Sequence, residues 1–209
     1  MMLRAALLDM DGTLFDSHID FLSLRESIGL PRDGRPILEQ LEDATPQLRA
    51  HALSLLHAAE REGARTGTLI PGTEPLLAML RNQDVKTALV TNNSKASLET
   101  FLERFPLRFD LVLSREDGAS KPAPDLFNHA LRVLEVAPKE AIAIGDTHLD
   151  CLAAVRAGVG HIVLIDLPEW MRDHLPQEAE CQHVDSLASA HAMVAQLLGI
   201  PVPDSVSRS

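Results

Sequence analysis

Apolar and polar positions along this chain alternate between two kinds of pattern. Short apolar runs bounded by Gly, Asp or Asn occur at 3–8, 85–90, 109–113, 141–144 and 161–165. Runs of this kind suit strands buried on both faces of a sheet. Between them, apolar residues recur at helical spacing over 73–82, 94–105, 124–134, 149–157 and 186–198. Gly158 is placed to stop the fourth of these helices, and Ser94 to cap the second. Strand and helix in alternation predict an α/β fold with a doubly wound parallel sheet.

One stretch departs from this rhythm. From Ile19 to Arg65 the spacing is helical throughout, with breaks at Gly29-Leu30-Pro31, Gly34-Arg35-Pro36 and Thr45-Pro46. Thr45 reads as an N-cap, with Pro46 at the first helical position. The pattern predicts a small cap of three helices inserted after the first strand. The expected division is a discontinuous core, 1–17 and 70–209, and a helical cap, 18–69. Residues 166–182 carry no clear pattern, and the tail from Pro201 has little to bury.

Composition narrows the functional classes. The chain has 209 residues, with 45% hydrophobic and 23% charged positions, as in ordinary globular proteins. A formal charge of −11 disfavours nucleic-acid and anionic membrane surfaces, and 3% aromatics leave little to stack on bases. The apolar N-terminus reaches Asp9 too soon for a signal peptide, and no run is long enough to span a bilayer. Cys151 and Cys181 have no metal-type spacing and read as reduced thiols. The expectation is a cytoplasmic protein, monomer or homodimer, with no nucleic-acid or membrane partner.

Four segments place chemistry-bearing side chains beside predicted strand ends. Asp9 and Asp11 end the first apolar run; two apart in an extended segment, they project into one space. Paired carboxylates there are costly without a cation or partner, and that sheet edge is where open α/β folds bind ligands. Thr91-Asn92-Asn93 stands between a strand and a helix, where hydroxyl and amide groups suit either a phosphate oxygen or a plain helix cap. Lys121, one of four lysines, lies in a loop braced by Pro122 and Pro124. Asp146 and Asp150 are four apart at a strand-to-helix turn, near one face, where acids also simply favour a helix N-terminus.

In order, DMDGT, the Thr of TNN, the Lys of SKPAPDLF and GDTHLD resemble the four motifs of the haloacid dehalogenase-like hydrolase superfamily. DGTLFDS and GASKPAPDLF look like its phosphoglycolate phosphatase and β-phosphoglucomutase branch. The resemblance covers about residues 1–17 and 70–185, and the insert is short for that branch's cap. It implies a phosphatase in which Asp9 is the nucleophile and Asp11 the proton carrier. When a carboxylate meets a phosphate dianion, each like-charge pair at ~4 Å costs about 4 kcal/mol at an effective dielectric of ~20, so a cation is required. The resemblance supplies Mg²⁺ as cofactor, with Asp9, Asp11 (through its carbonyl) and Asp146 as ligands. Lys121 would neutralise nucleophile and phosphate, Thr91 and the Asn92 amide would hold phosphoryl oxygens, and Asp150 would orient Lys121 or a metal-bound water.

The substrate would be a small phosphorylated metabolite such as 2-phosphoglycolate or a sugar phosphate. The cap has six arginines and no lysine, and Arg25, Arg32 and Arg35 are the candidates for reading the leaving group. A phosphosugar mutase shares these core residues and stays open as an alternative. A receiver-like phospho-acceptor and a non-catalytic binding domain belong to other classes. Dehalogenase chemistry is disfavoured, because the family's dehalogenases lack the aspartate that stands here as Asp11. His148 reads as a solvated histidine at a helix start, and Trp170 as a packing anchor.

Overall fold

The computed structural model describes residues 2–31, 35–41, 43–177 and 180–201. Arg32 and the tail beyond Pro201 lie outside the described residues. Strands are β1 (Ala5–Leu8), β2 (Phe15–Asp16), β3 (Thr68–Leu69), β4 (Lys86–Val90), β5 (Leu111–Leu113), β6 (Ala141–Gly145), β7 (His161–Ile165) and β8 (Cys181–Val184). Helices are α1 (Phe21–Ile28), α2 (Ile37–Gln40), α3 (Pro46–Thr66), α4 (Thr73–Asn82), α5 (Lys95–Arg104), α6 (Asp125–Leu134), α7 (His148–Ala157), α8 (Glu169–Arg172) and α9 (Leu187–Leu197).

Six strands form one parallel sheet in the order β5-β4-β1-β6-β7-β8. The chain steps outward from β1 to β5, then returns to the other side of β1. The strand order therefore reverses at β1, which opens a crevice beyond its carboxyl end. Alternate residues feed two cores, as period-two geometry requires. Ala5, Leu7, Ala141, Ala143, Ile162 and Leu164 pack under α6 and α7. Ala6, Leu8, Ile142, Ile144, Val163 and Ile165 pack under α4, α5 and α9. This burial on both faces is why the strands read as unbroken apolar runs rather than alternating ones.

The helical insert sits on a stem that the sequence did not reveal. β2 and β3 pair antiparallel, Phe15 with Leu69 and Asp16 with Thr68, and α1–α3 lie between them. At two residues each, these strands are too short to show periodicity. Phe15 at the base of the stem joins Phe101 and Phe105 in a ring cluster with centroids 5.0–5.9 Å apart. The C-terminal carbonyls of α3 would lack partners, but Arg104 of α5 donates to Ala64 O at 2.6 Å and Gly67 O at 3.0 Å. Thr45 caps α3 through Leu48 N, as expected. α1–α3 enclose a small cluster of their own around Ile28, Leu41 and Ala52.

The unpatterned stretch 166–182 contains the short helix α8 and the first half of the edge strand β8. β8 (Cys-Gln-His-Val) is half-buried at its ends and exposed in the middle, so it lacks the apolar signature of the central strands. Cys151 is buried and Cys181 half-buried, both as free thiols. No helix among the described residues is long and apolar enough to cross a membrane.

Candidate active site

β1, β4 and β6 deliver Asp9, Thr91 and Asp146 to one end of the sheet through their parallel register. Asp9 N donates to Ile144 O at 2.9 Å and Thr91 N to Leu113 O at 3.0 Å, so each extends its strand's ladder by one residue. The chain then turns away at Gly12, whose φ of +77° favours glycine. A Cβ there would fall 2.0 Å from Asp146 Oδ2, so the missing side chain is also what admits that carboxylate. Gly145 does the same for Asp150, whose Cγ would lie 2.4 Å from a Cβ.

Lys121 is the hub of the site. Its ammonium, 3% exposed, donates to Asp9 Oδ1 at 2.5 Å, Asp150 Oδ1 at 2.6 Å and Val90 O at 3.0 Å. All three donor positions of the lysine are thus committed. Its backbone is clamped by Asn92, which accepts from Lys121 N and donates to Lys121 O, both at 2.8 Å. Asp150 Oδ2 accepts from Thr147 N and Oγ1 at 3.1 and 2.6 Å, which fixes the start of α7.

Asp11 points elsewhere. Its Oδ2 accepts from Asn93 Nδ2 at 2.9 Å, while Oδ1 is buried without a partner among the described residues. Asp146 Oδ1 is in the same condition. Carboxylate oxygens of Asp9, Asp146 and Asp150 come within 4.8 Å of one another. Asp150 is spoken for by Lys121 and Thr147, which leaves Asp9 and Asp146 facing a space with oxygen donors. Hard oxygens with idle lone pairs are the donor set of a Mg²⁺ site, so these residues fit that ion.

Electrostatics agree. Burial, only partly offset by Lys121, pushes the Asp9 carboxyl up to about 7. Burial also raises Asp146 well above the carboxylate range, with the charge of Asp9 adding to it. Asp11 is raised by burial although hydrogen bonds from Asn93 and Ser17 pull it down. For Lys121 burial acts downward, but Asp150 and Asp9 outweigh it and the ammonium is held more firmly than usual. The carboxylates want more positive charge than one lysine provides.

A family profile described as haloacid dehalogenase-like hydrolase matches residues 3–158. The chain belongs to the haloacid dehalogenase-like hydrolases. It is 31% identical over 180 residues to a phosphoglycolate phosphatase of Cupriavidus necator, covering 74% of this chain and 78% of that one. It is 29% identical over 175 residues to a haloacid dehalogenase-like hydrolase domain-containing protein of Arabidopsis thaliana, covering 78% and 71%. A hydrolase from Pseudomonas syringae shares the fold with a TM-score of 0.74 at 20% identity, over 91% of this chain and 98% of that one. The sequence expectation of a phosphatase of this family stands.

Of the residues singled out from sequence, the hydrolase fold gathers Asp9, Asp11, Thr91, Asn92, Lys121, Asp146 and Asp150 at one sheet edge. The cap arginines are placed differently. Arg25 is buried, and its guanidinium donates to Pro31 O at 2.8 Å and Arg35 O at 2.7 Å within the cap. Arg35 is exposed. His148 is a correction: it is 5% exposed, not solvated, because its ring packs 5.2 Å from that of His174 beyond α8. Trp170 is the reverse, 42% exposed and edge-on to His174 at 6.4 Å, not an anchor in the core. Asn93, the hydrogen-bond partner of Asp11, was missed. Asn93 was visible in the TNN run, but a helix cap accounted for it equally well.

Proposed function

We propose that this hydrolase is a Mg²⁺-dependent phosphatase of a small phosphorylated metabolite, of the 2-phosphoglycolate or sugar phosphate type, acting through an aspartyl-phosphate on Asp9. The observation that carries the reading is the division of labour between two neighbouring carboxylates. Asp9 is fixed by Lys121, whereas Asp11 is held by Asn93 with one oxygen left idle. In this reading one attacks and the other carries a proton.

In the first step an Asp9 oxygen bonds to phosphorus while the ester P–O bond breaks. Asp11, whose carboxyl burial raises above its ordinary value, gives a proton to the departing oxygen. In the second step the Asp11 carboxylate takes a proton from water, whose oxygen attacks phosphorus and releases Asp9. Lys121 neutralises nucleophile and phosphoryl charge together, and Thr91 with the Asn92 amide receives phosphoryl oxygens. Mg²⁺, held by Asp9, the Asp11 carbonyl and Asp146, would screen the phosphoryl charge from the carboxylates.

Release of phosphate from p-nitrophenyl phosphate in the presence of Mg²⁺ tests the reaction, and acid quenching tests the intermediate. A phosphoenzyme sensitive to hydroxylamine is expected in the wild type and absent from Asp9→Asn. Turnover without any trapped acyl phosphate, even under single-turnover conditions, would remove Asp9 from the role of nucleophile.

A further inference from the structure

The turn after β5 holds the Thr91-Asn92-Asn93 loop through one residue, Arg115, whose side chain is 10% exposed. Its backbone N–H donates to Asn93 O at 3.3 Å, and its guanidinium Nη1 donates to Asn92 O at 3.1 Å. Both peptide groups that flank Asn93 are therefore held from the same place. The guanidinium is itself aimed by the cap. Nη1 also donates to Glu60 Oε1 at 2.5 Å and Nη2 to Glu60 Oε2 at 3.0 Å, a fork-to-fork contact. Glu60, on α3, is 3% exposed, and among the described residues it is the one buried acid of the cap. The two hydrogens of Nη1 are thus divided, one to the cap and one to the loop. The turn that carries Arg115 is fixed in its own right. Buried Ser114 donates from N and Oγ to Asp117 Oδ2, both at 2.8 Å, and Glu116 accepts from Lys95 N at the start of α5 at 2.9 Å.

The loop held in this way makes two contacts with the groups proposed to react. Asn92 clamps the backbone of Lys121, whose ammonium meets Asp9. Asn93 Nδ2 holds Asp11 Oδ2 at 2.9 Å. The peptide between Asn92 and Asn93 joins their two α-carbons, so a rotation of that plane would shift both side chains at once. Arg115 opposes the rotation with a hydrogen bond from a charged donor, roughly twice as strong as a neutral one.

We propose that Arg115 is a positioning residue for phosphoryl transfer: anchored by Glu60 of the cap, it fixes the Asn92–Asn93 peptide and, through it, Lys121 and Asp11. The inference rests on the phosphatase reading. It makes the seating of the cap on the core part of what sets the geometry of the phosphoryl-binding loop.

The test uses p-nitrophenyl phosphate in Mg²⁺ and reads kcat and KM beside the melting temperature. Arg115→Met keeps the aliphatic stem and removes the donors. Its kcat should fall at least ~tenfold and by more than KM changes, since a misplacement of about 1 Å can cost ~10²-fold. That variant also leaves Glu60 buried and unpaired, which is destabilising, so a second variant separates the two effects. Glu60→Leu/Arg115→Met replaces the pair by apolar groups and should melt higher than Arg115→Met. Its kcat should nevertheless stay at least ~tenfold below wild type, because Asn92 O still lacks its donor. Recovery of kcat to within about threefold of wild type in this double variant would overturn the proposal and leave the pair as a clasp between cap and core. Glu60→Gln keeps an acceptor for the guanidinium and should lose less kcat than Arg115→Met. An equal loss would place the effect in the cap and not in the loop, and would also overturn the proposal. A wild type without activity would refute the phosphatase reading and this inference with it, whereas an active wild type with kcat unmoved in Arg115→Met would sink the inference alone.

Discussion

At the sheet, β1 is four residues buried on both faces, with two apolar cores above and below it. In the cap, three helices share a cluster whose fully buried members among the described residues are Ile28, Leu41 and Ala52. The core thus holds the gathered aspartates and Lys121 by close packing, which resists small displacements. The cap is joined to it by a two-residue ribbon and by directed polar contacts, Arg115 to Glu60 and Arg104 to the end of α3. On the proposed function, bond-making would fall to the closely packed sheet and choice of substrate to the cap.

The largest effect that would break this contrast is at Asp9. Asp9→Asn is nearly isosteric and should keep the fold, yet lower kcat with p-nitrophenyl phosphate by at least ~10³-fold. Removal of metal with a chelator should abolish turnover to a similar extent, with return on adding Mg²⁺. Ca²⁺, which takes more ligands at longer distances, should not restore it. Retained activity in either experiment would mean that the rigid region does not hold the chemistry.

Next in size is Asp11→Asn. The leaving oxygen would lose its acid and the water its base, a loss of ~10²–10⁴-fold. Because Asn93 holds Asp11 at 2.9 Å, Asn93→Ala should cost about tenfold by misplacing the proton carrier. A larger loss for Asn93→Ala than for Asp11→Asn, read from kcat for p-nitrophenyl phosphate, would reverse their roles.

The same contrast governs what was legible beforehand. The sheet's strands are buried on both faces, so their apolar runs stood out, and the β7 strand and the α4 helix fall on the expected residues. Four acids, a threonine and a lysine lay at strand ends where motif and position agreed. The edges were harder: β8 and the β2–β3 ribbon are short or half-exposed, and their stability comes from partners distant in sequence. Long-range pairs were invisible for the same reason. Nothing local links Glu60 to Arg115 across 55 positions, or Asn93 to Asp11 across 82. The cap arginines stood out by composition, but Arg25 turns its guanidinium to cap carbonyls.

A smaller effect lies in the pH dependence of stability without metal. Asp9 moves from an ordinary 3.8 to about 7 on folding, so the native state binds more protons than the unfolded one across that window. Stability contributed there falls as pH rises from about 4 to about 7. Asp9→Asn lacks this titration. In chelator, the melting temperature of the variant minus that of the wild type should grow by at least ~2 °C over the window. A constant or shrinking difference would show that packing does not strain this carboxylate.

The smallest effect concerns the cap alone. Arg25 donates from a buried guanidinium to Pro31 O and Arg35 O, so it braces the turn after α1 against the start of α2. Arg25→Met keeps much of the aliphatic stem and removes the charged donors. Lost hydrogen bonds from a charged group cost ~1.5–3 kcal/mol. If the cap opens as its own unit, that cost appears there and not in global unfolding. Amide exchange in α1 and the Ile37–Leu41 turn should then speed by ~10–100-fold, since each 1.4 kcal/mol is about tenfold. Amides of β1, β4 and β6 should exchange as in the wild type. Acceleration that spreads into β1 would mean that cap and sheet open together. Their difference would then be one of packing density, without independent motion, and the cap's polar contacts would count as part of a single cooperative unit.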